Sequence, residues 1–185
     1  MTLDWFTITT IVLGSSFLGA VLTNLAGWAI RRAERFRQAN YLGLHLAYVF
    51  ESFAYTCLSA VEDHDTAESS DGHAGGYIKK IPEFPRLPDF DYRDFDLSIL
   101  DKVFDFPQQV SFANLLFEFE VLDGEDAVEE GYKSSLKLAQ DSLSIADRIR
   151  SRYKLTKRAL EFGDYSVRQR LKEKATRVKK RQAEK

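Results

Sequence analysis

Glu62, Asp63, His64, Asp65, Asp71 and His73 crowd into one short stretch, "EDHDTAESSDGHAGG". Carboxylates and imidazoles are oxygen and nitrogen donors to divalent metals. Asp63, His64, Asp65, Asp71 and His73 are therefore the candidate metal ligands of the chain. Their spacing promises less than their types. No HExxH pair occurs, and the calcium-loop pattern lacks its closing Glu. The separation of His64 from His73 matches no standard zinc spacing. The same residues suit a turn. Ser69, Ser70 and Asp71 bond readily to backbone N–H groups, and Gly72, Gly75 and Gly76 permit positive φ. If His64 and His73 were each held by a neighbouring acid, the loop would respond to pH.

Other chemistries lack their residues. No GxSxG elbow is present, and the sole cysteine, Cys57, lies on an apolar helix stripe, where its default role is a small buried hydrophobe. "GHAGG" lacks the Lys-Ser or Lys-Thr that completes a phosphate-binding loop, and no strand precedes it. No catalytic residue and no cofactor is assigned. The expectation is a non-enzymatic interaction or scaffold protein. The alternative is a metal-dependent enzyme or sensor using the 62–73 loop.

The elements that position this stretch are helical. Leu42, Leu46, Val49, Phe53, Cys57 and Val61 recur every three or four residues, which predicts an amphipathic helix ending near Asp63. Residues 64–96 show no helical period. Pro82, Pro85 and Pro88 share one edge of a polyproline helix, and Phe84, Leu87 and Phe90 share another. Two readings follow: a ligand for a proline-recognition domain, or a strap pinned across helices by its three apolar side chains. Leu97 to Phe106 reads as a short helix, with Pro107 in the first turn of the next. Phe112, Leu115, Leu116, Phe119 and Leu122 continue at helical spacing, although "FEFEV" alternates like a strand. Gly124 suits the C-cap. A third helix spans Ala127 to Leu155, with Tyr132, Leu136, Ala139, Leu143, Ala146, Ile149 and Tyr153 as its stripe. Arg148, Arg150, Arg152 and Lys154 in its last turns complement the helix dipole.

Trp5 to Ile30 carries no charge. A bilayer core takes about 20 apolar residues as helix, so the run is long enough to cross. Trp5 and Trp28 stand near its ends, and Arg31, Arg32, Arg35 and Arg37 follow at once. Basic flanks stay inside, which predicts an N-terminus outside, a cytoplasmic C-terminal domain and a single pass through the inner (plasma) membrane. A cleaved signal peptide and a buried soluble helix are the competing readings. Ser15, Gly19, Thr23 and Gly27 share one face of the run, where small residues let two such helices self-associate.

The chain's net charge of -2 hides segregation. Between Glu62 and Glu130 stand 19 acids against 5 bases; from Thr156 to Lys185 stand 11 bases against 4 acids. The basic tail has four readings: a frayed end, contact with anionic lipid, pairing with the acidic middle of the chain, and nucleic-acid binding, the last without supporting aromatic interleaving. One cysteine excludes an intrachain disulfide.

The anchor, the "FESFAYTC" helix, "SSDGHAG" and the proline strap together resemble a family of bacterial single-pass membrane proteins with no known activity. The resemblance spans Leu42 to Leu155. It implies a bacterial source and a helical fold, and it transfers no site residue. The expected fold class is all-α: an N-terminal transmembrane helix, then a small helical bundle with an extended proline-containing strap. The divisions are 1–37 for anchor and basic flank, 38–155 for the helical domain with its 64–96 loop and strap, and 156–185 for the tail. Expected partners are the lipid bilayer, a protein or a second copy through the anchor, and anionic lipid at the tail.

Overall fold

The computed structural model describes the backbone of residues 5–123 and 126–183, and the side chains of 23–119, 121 and 127–180. The described residues are all-α apart from one short hairpin. Four helices, α1 (Trp5–Ser69), α2 (Leu97–Asp123), α3 (Asp126–Arg152) and α4 (Val167–Ala183), account for most of them. Strands β1 (Glu161–Phe162) and β2 (Tyr165–Ser166) pair antiparallel between α3 and α4. The chain divides into two compact units, Met1–Ala39 and Asn40–Lys185.

Over Thr23–Ser69, α1 is long and apolar enough to cross a membrane by length and composition, and half of its most apolar stretch is buried in the fold. Toward its N-terminal end Leu25, Trp28, Ile30 and Phe36 are all more than half exposed. The Arg32 guanidinium lies 5.1 Å from the Trp28 ring centroid, one helical turn away.

The second unit has the core. Leu42, Leu46, Phe53, Cys57 and Val61 of α1 are buried, joined by Phe50 and Leu58. Phe50 and Phe53 meet Phe106 of α2, where Val103 and Val110 are also buried, and every member of the expected α3 stripe is buried as well. Gly43 lets α1 come close to α3: a Cβ there would stand 3.1 Å from the Tyr153 ring.

Three boundaries differ from the sequence expectation. α1 does not end near Asp63 but runs to Ser69. Val61, His64 and Ala67 continue its buried face, a spacing disguised by the polar residues around them. α2 is not broken at Pro107, which sits inside one continuous helix. Proline removes the donor to the Val103 carbonyl, at a cost of about 3 kcal/mol. Burial of Val103, Phe106 and Val110 on one face of an unbroken helix offsets it. The expected C-cap, Gly124, lies outside the described residues. α3 stops at Arg152 and closes in a Schellman motif. The Leu155 N–H donates to the Arg150 carbonyl (2.8 Å) and the Lys154 N–H to the Ser151 carbonyl (3.3 Å).

The strap is extended, as its prolines dictate. Phe84 inserts among Phe50, Phe53 and Phe106, with ring centroids 5.0–5.3 Å away. Phe90 rests against Tyr41 and His45, at 5.9 Å from each. The strap therefore runs antiparallel to α1. The Ile81 N–H donates to Oδ1 of Asn114, which fixes the strap to α2 (3.0 Å).

Within the basic tail, Val167 and Leu171 of α4 are buried. Arg168 makes two bonds to Asp147 of α3 (2.7 and 2.8 Å), and Lys174 pairs with Asp65 of α1. The hairpin has no counterpart in the sequence expectation. Its signal is Gly163 with φ 58 at the first of two loop positions, the residue a type II′ turn wants there.

Candidate functional site

The acid and histidine stretch is where α1 ends and the chain turns back. Asp71 takes positive φ (50) just past the helix, and the following Gly72 N–H donates to the Ala67 carbonyl (2.8 Å). The Ser70 hydroxyl accepts from the Ala74 N–H and donates to the Ala74 carbonyl, at 2.9 and 3.0 Å. Gly75, with φ 74, is pressed onto the helix: a Cβ there would stand 2.3 Å from the Asp63 carbonyl oxygen. The next N–H, of Gly76, donates to that same carbonyl (3.1 Å).

The side chains of the stretch point apart. Asp63, Asp71 and His73 are exposed, Asp65 is half-buried and His64 is buried. Asp65 accepts from Lys174 and from the Tyr132 hydroxyl, while Glu62 accepts from the Tyr165 hydroxyl (2.9 Å). Among the described residues no three His, Cys, Asp or Glu side chains converge to hold a metal. His64 stands edge-on between Tyr77 and Tyr132 (5.6 and 5.4 Å), and its Nδ1 has no hydrogen-bond partner. It borders a cleft of about 270 Å³ with Glu68 and Lys133. Neither His64 nor His73 bonds to a described carboxylate, so the expected acid–histidine pairs are not formed among the described residues.

Cys57 is fully buried, and burial pushes its thiol up to about 12. A thiol at that value is not a nucleophile at neutral pH. It should resist alkylation by iodoacetamide in the folded protein and react promptly in denaturant; equal rates in the two states would contradict its placement.

A buried ion pair escaped sequence reasoning. Arg150 of α3 grips Glu51 of α1 through Nε (2.6 Å) and Nη2 (2.9 Å), and both side chains are almost fully buried. Its Nη1 donates to the Thr156 carbonyl (2.7 Å). The pair thus anchors the segment leading into the hairpin. Pairing across 99 residues leaves no local signal.

The second feature is on α2. Val103, Phe106, Val110 and Phe117 are buried, while Phe112, Leu115, Leu116 and Phe119 stand 47–66% exposed on the opposite side. Their spacing of three, four and seven makes one stripe. The helix is apolar on two faces, and the fold covers only one. Asp101 and Asp105 lie at the N-terminal end of the exposed face and Glu118 beside it, all exposed.

Of the residues expected at the membrane interface, Trp28 is 55% exposed, and Arg31, Arg32, Arg35 and Arg37 are exposed too. Thr23 is exposed and Gly27 half-exposed on α1, whereas the side chains of Trp5 and Ser15, and the surroundings of Gly19, lie outside the described residues. No protein-family model, curated protein or solved structure matches the chain.

Proposed function

We propose that this chain is a membrane-anchored, non-enzymatic protein that docks a partner on the outer face of α2. The observation that carries the reading is the exposed stripe Phe112, Leu115, Leu116 and Phe119. Contiguous exposed apolar surface of this kind marks interaction sites in soluble domains. Covering the half of each such side chain that is still exposed contributes about 1 kcal/mol to association. The spacing suits an amphipathic helix laid alongside, and the carboxylates of Asp101, Asp105 and Glu118 favour one with basic flanks. A second copy of the same face would bring like charges together.

The charge-free run ahead of Arg31 supports membrane insertion with the domain on the cytoplasmic side, and the resemblance to bacterial single-pass proteins implies a bacterial inner membrane. Self-association through Ser15, Gly19, Thr23 and Gly27 belongs to the same reading. The test is affinity capture of the full chain from native membranes, wild type against Phe112→Ser/Phe119→Ser. The partner should be lost from the variant while both chains stay in the pellet after an alkaline carbonate wash. A partner retained by the variant would defeat the docking face, and release of the wild type by carbonate would defeat the anchor.

A further inference from the structure

The outer side of α1 beyond Asn40 is lined by aromatic side chains. Tyr41, Leu44, Tyr48 and Tyr55 are 46–57% exposed. They lie at helical spacing on one face. The segment that Arg150 holds through the Thr156 carbonyl runs beside them. Two adjoining hollows result, of about 500 and 410 Å³, sharing Tyr48 and Arg158. Each lies within the range of small-molecule sites. Tyr41, Leu44 and Tyr48 make the larger hollow largely apolar, and no carboxylate lines it. Phe162, 90% exposed at the tip of the hairpin, extends the apolar wall of the second.

The charges in this trough are unbalanced. Arg158 lies 5.7 Å from the Tyr48 ring centroid, and neither it nor Lys157 forms an ion pair with a described carboxylate. Glu51, which lines the second hollow, is already committed to Arg150. Glu161 borders only the second hollow. The trough therefore offers an apolar wall with the Arg158 guanidinium and the Lys157 ammonium at its edge, beside His45 and the ion-paired Arg150. A phosphate matches those donors, and an alkyl chain matches the wall.

The geometry points to a binding site for a single anionic amphiphile, an alkyl or acyl chain bearing a phosphate head. The head sits on Lys157 and Arg158, and the chain lies over Tyr41, Leu44 and Tyr48. This site is separate from the α2 stripe and does not depend on it.

A dodecyl phosphate carrying a diazirine in its alkyl chain tests the site on the full chain in neutral-detergent micelles. Peptide mapping should place the label within 41–48 and 156–162. Unlabelled dodecyl phosphate should compete, whereas inorganic phosphate and dodecyl maltoside should not. Lys157→Gln/Arg158→Gln should lower this labelling about tenfold or more, since two charge-assisted bonds are removed. Labelling of the 5–30 run, where detergent-like molecules gather, should not change. Both residues are exposed, so an unchanged melting temperature reports an intact fold. Four results would overturn the site: label confined to 5–30 or to α4, trough labelling unaffected by the double variant, equal competition by inorganic phosphate, and equal competition by dodecyl maltoside. An acidic amphipathic peptide that displaced the probe at lower concentration than dodecyl phosphate would likewise overturn the lipid assignment.

Discussion

Lys154 holds positive φ (52) at the C′ position of α3, a place glycine normally takes. A left-handed conformation strains a residue with a Cβ, so Lys154→Gly should stabilise the domain by about 0.5–1 kcal/mol, read from urea unfolding. Lost stability would mean that the lysine side chain makes a contact the geometry does not contain. Asp96 caps α2: its carboxylate accepts from the Ser98 N–H (3.0 Å) and hydroxyl (2.7 Å), and from Arg152 of α3 (2.7 Å). The Ser98 hydroxyl, then Arg152, hold its carboxyl down to about 2 from an ordinary 3.8. A lowered folded pKa gives stability that is complete above the unfolded value and disappears as pH falls through the folded one. The wild type should therefore lose stability between pH 3.8 and about 2, and Asp96→Asn should flatten that part of the curve. Parallel curves would show that the cap is not ionised there. At this scale the sequence revealed the residue types but not their partners. Cys57 was legible because it lay on a periodic stripe. His64 was not, because a histidine among acids reads as a ligand, whereas two tyrosines from distant segments enclose it.

At the scale of elements, the Glu51–Arg150 pair joins α1 to α3 with almost no exposure. Removing one partner leaves a buried charge unopposed. Glu51→Leu or Arg150→Met alone should cost about 3–5 kcal/mol, and the double variant much less than the sum. Additive losses in chemical denaturation would show that the two side chains do not act as a unit. Helix periodicity made α1 and α3 legible, and proline spacing made the strap legible, since both signals are local. The unbroken passage of α2 through Pro107 was not, because its cause is tertiary: Phe106 on that helix meets Phe50 and Phe53 of α1 and Phe84 of the strap. The hairpin escaped for a related reason. Two residue pairs are too few for a strand period, and only Gly163–Asp164 marks the turn.

At the scale of the whole molecule, the charge segregation has a structural counterpart. Basic α4 folds back onto the acidic domain through Arg168–Asp147 and Lys174–Asp65. The α2 stripe was visible in sequence as a period, but periodicity does not say which face a fold covers. The core takes Val103, Phe106, Val110 and Phe117, and leaves Phe112, Leu115, Leu116 and Phe119 outside. That exposed face carries the functional account. The most direct test places a photoreactive phenylalanine analogue at Leu115 in the full chain and, as a control, at the exposed Lys137 of α3. Irradiation of native membranes should give one discrete protein adduct from position 115 and none from 137, and the 115 adduct should vanish when Phe119→Ser is added. No adduct from 115, or an adduct indifferent to Phe119→Ser, would contradict the assignment of α2 as the docking face.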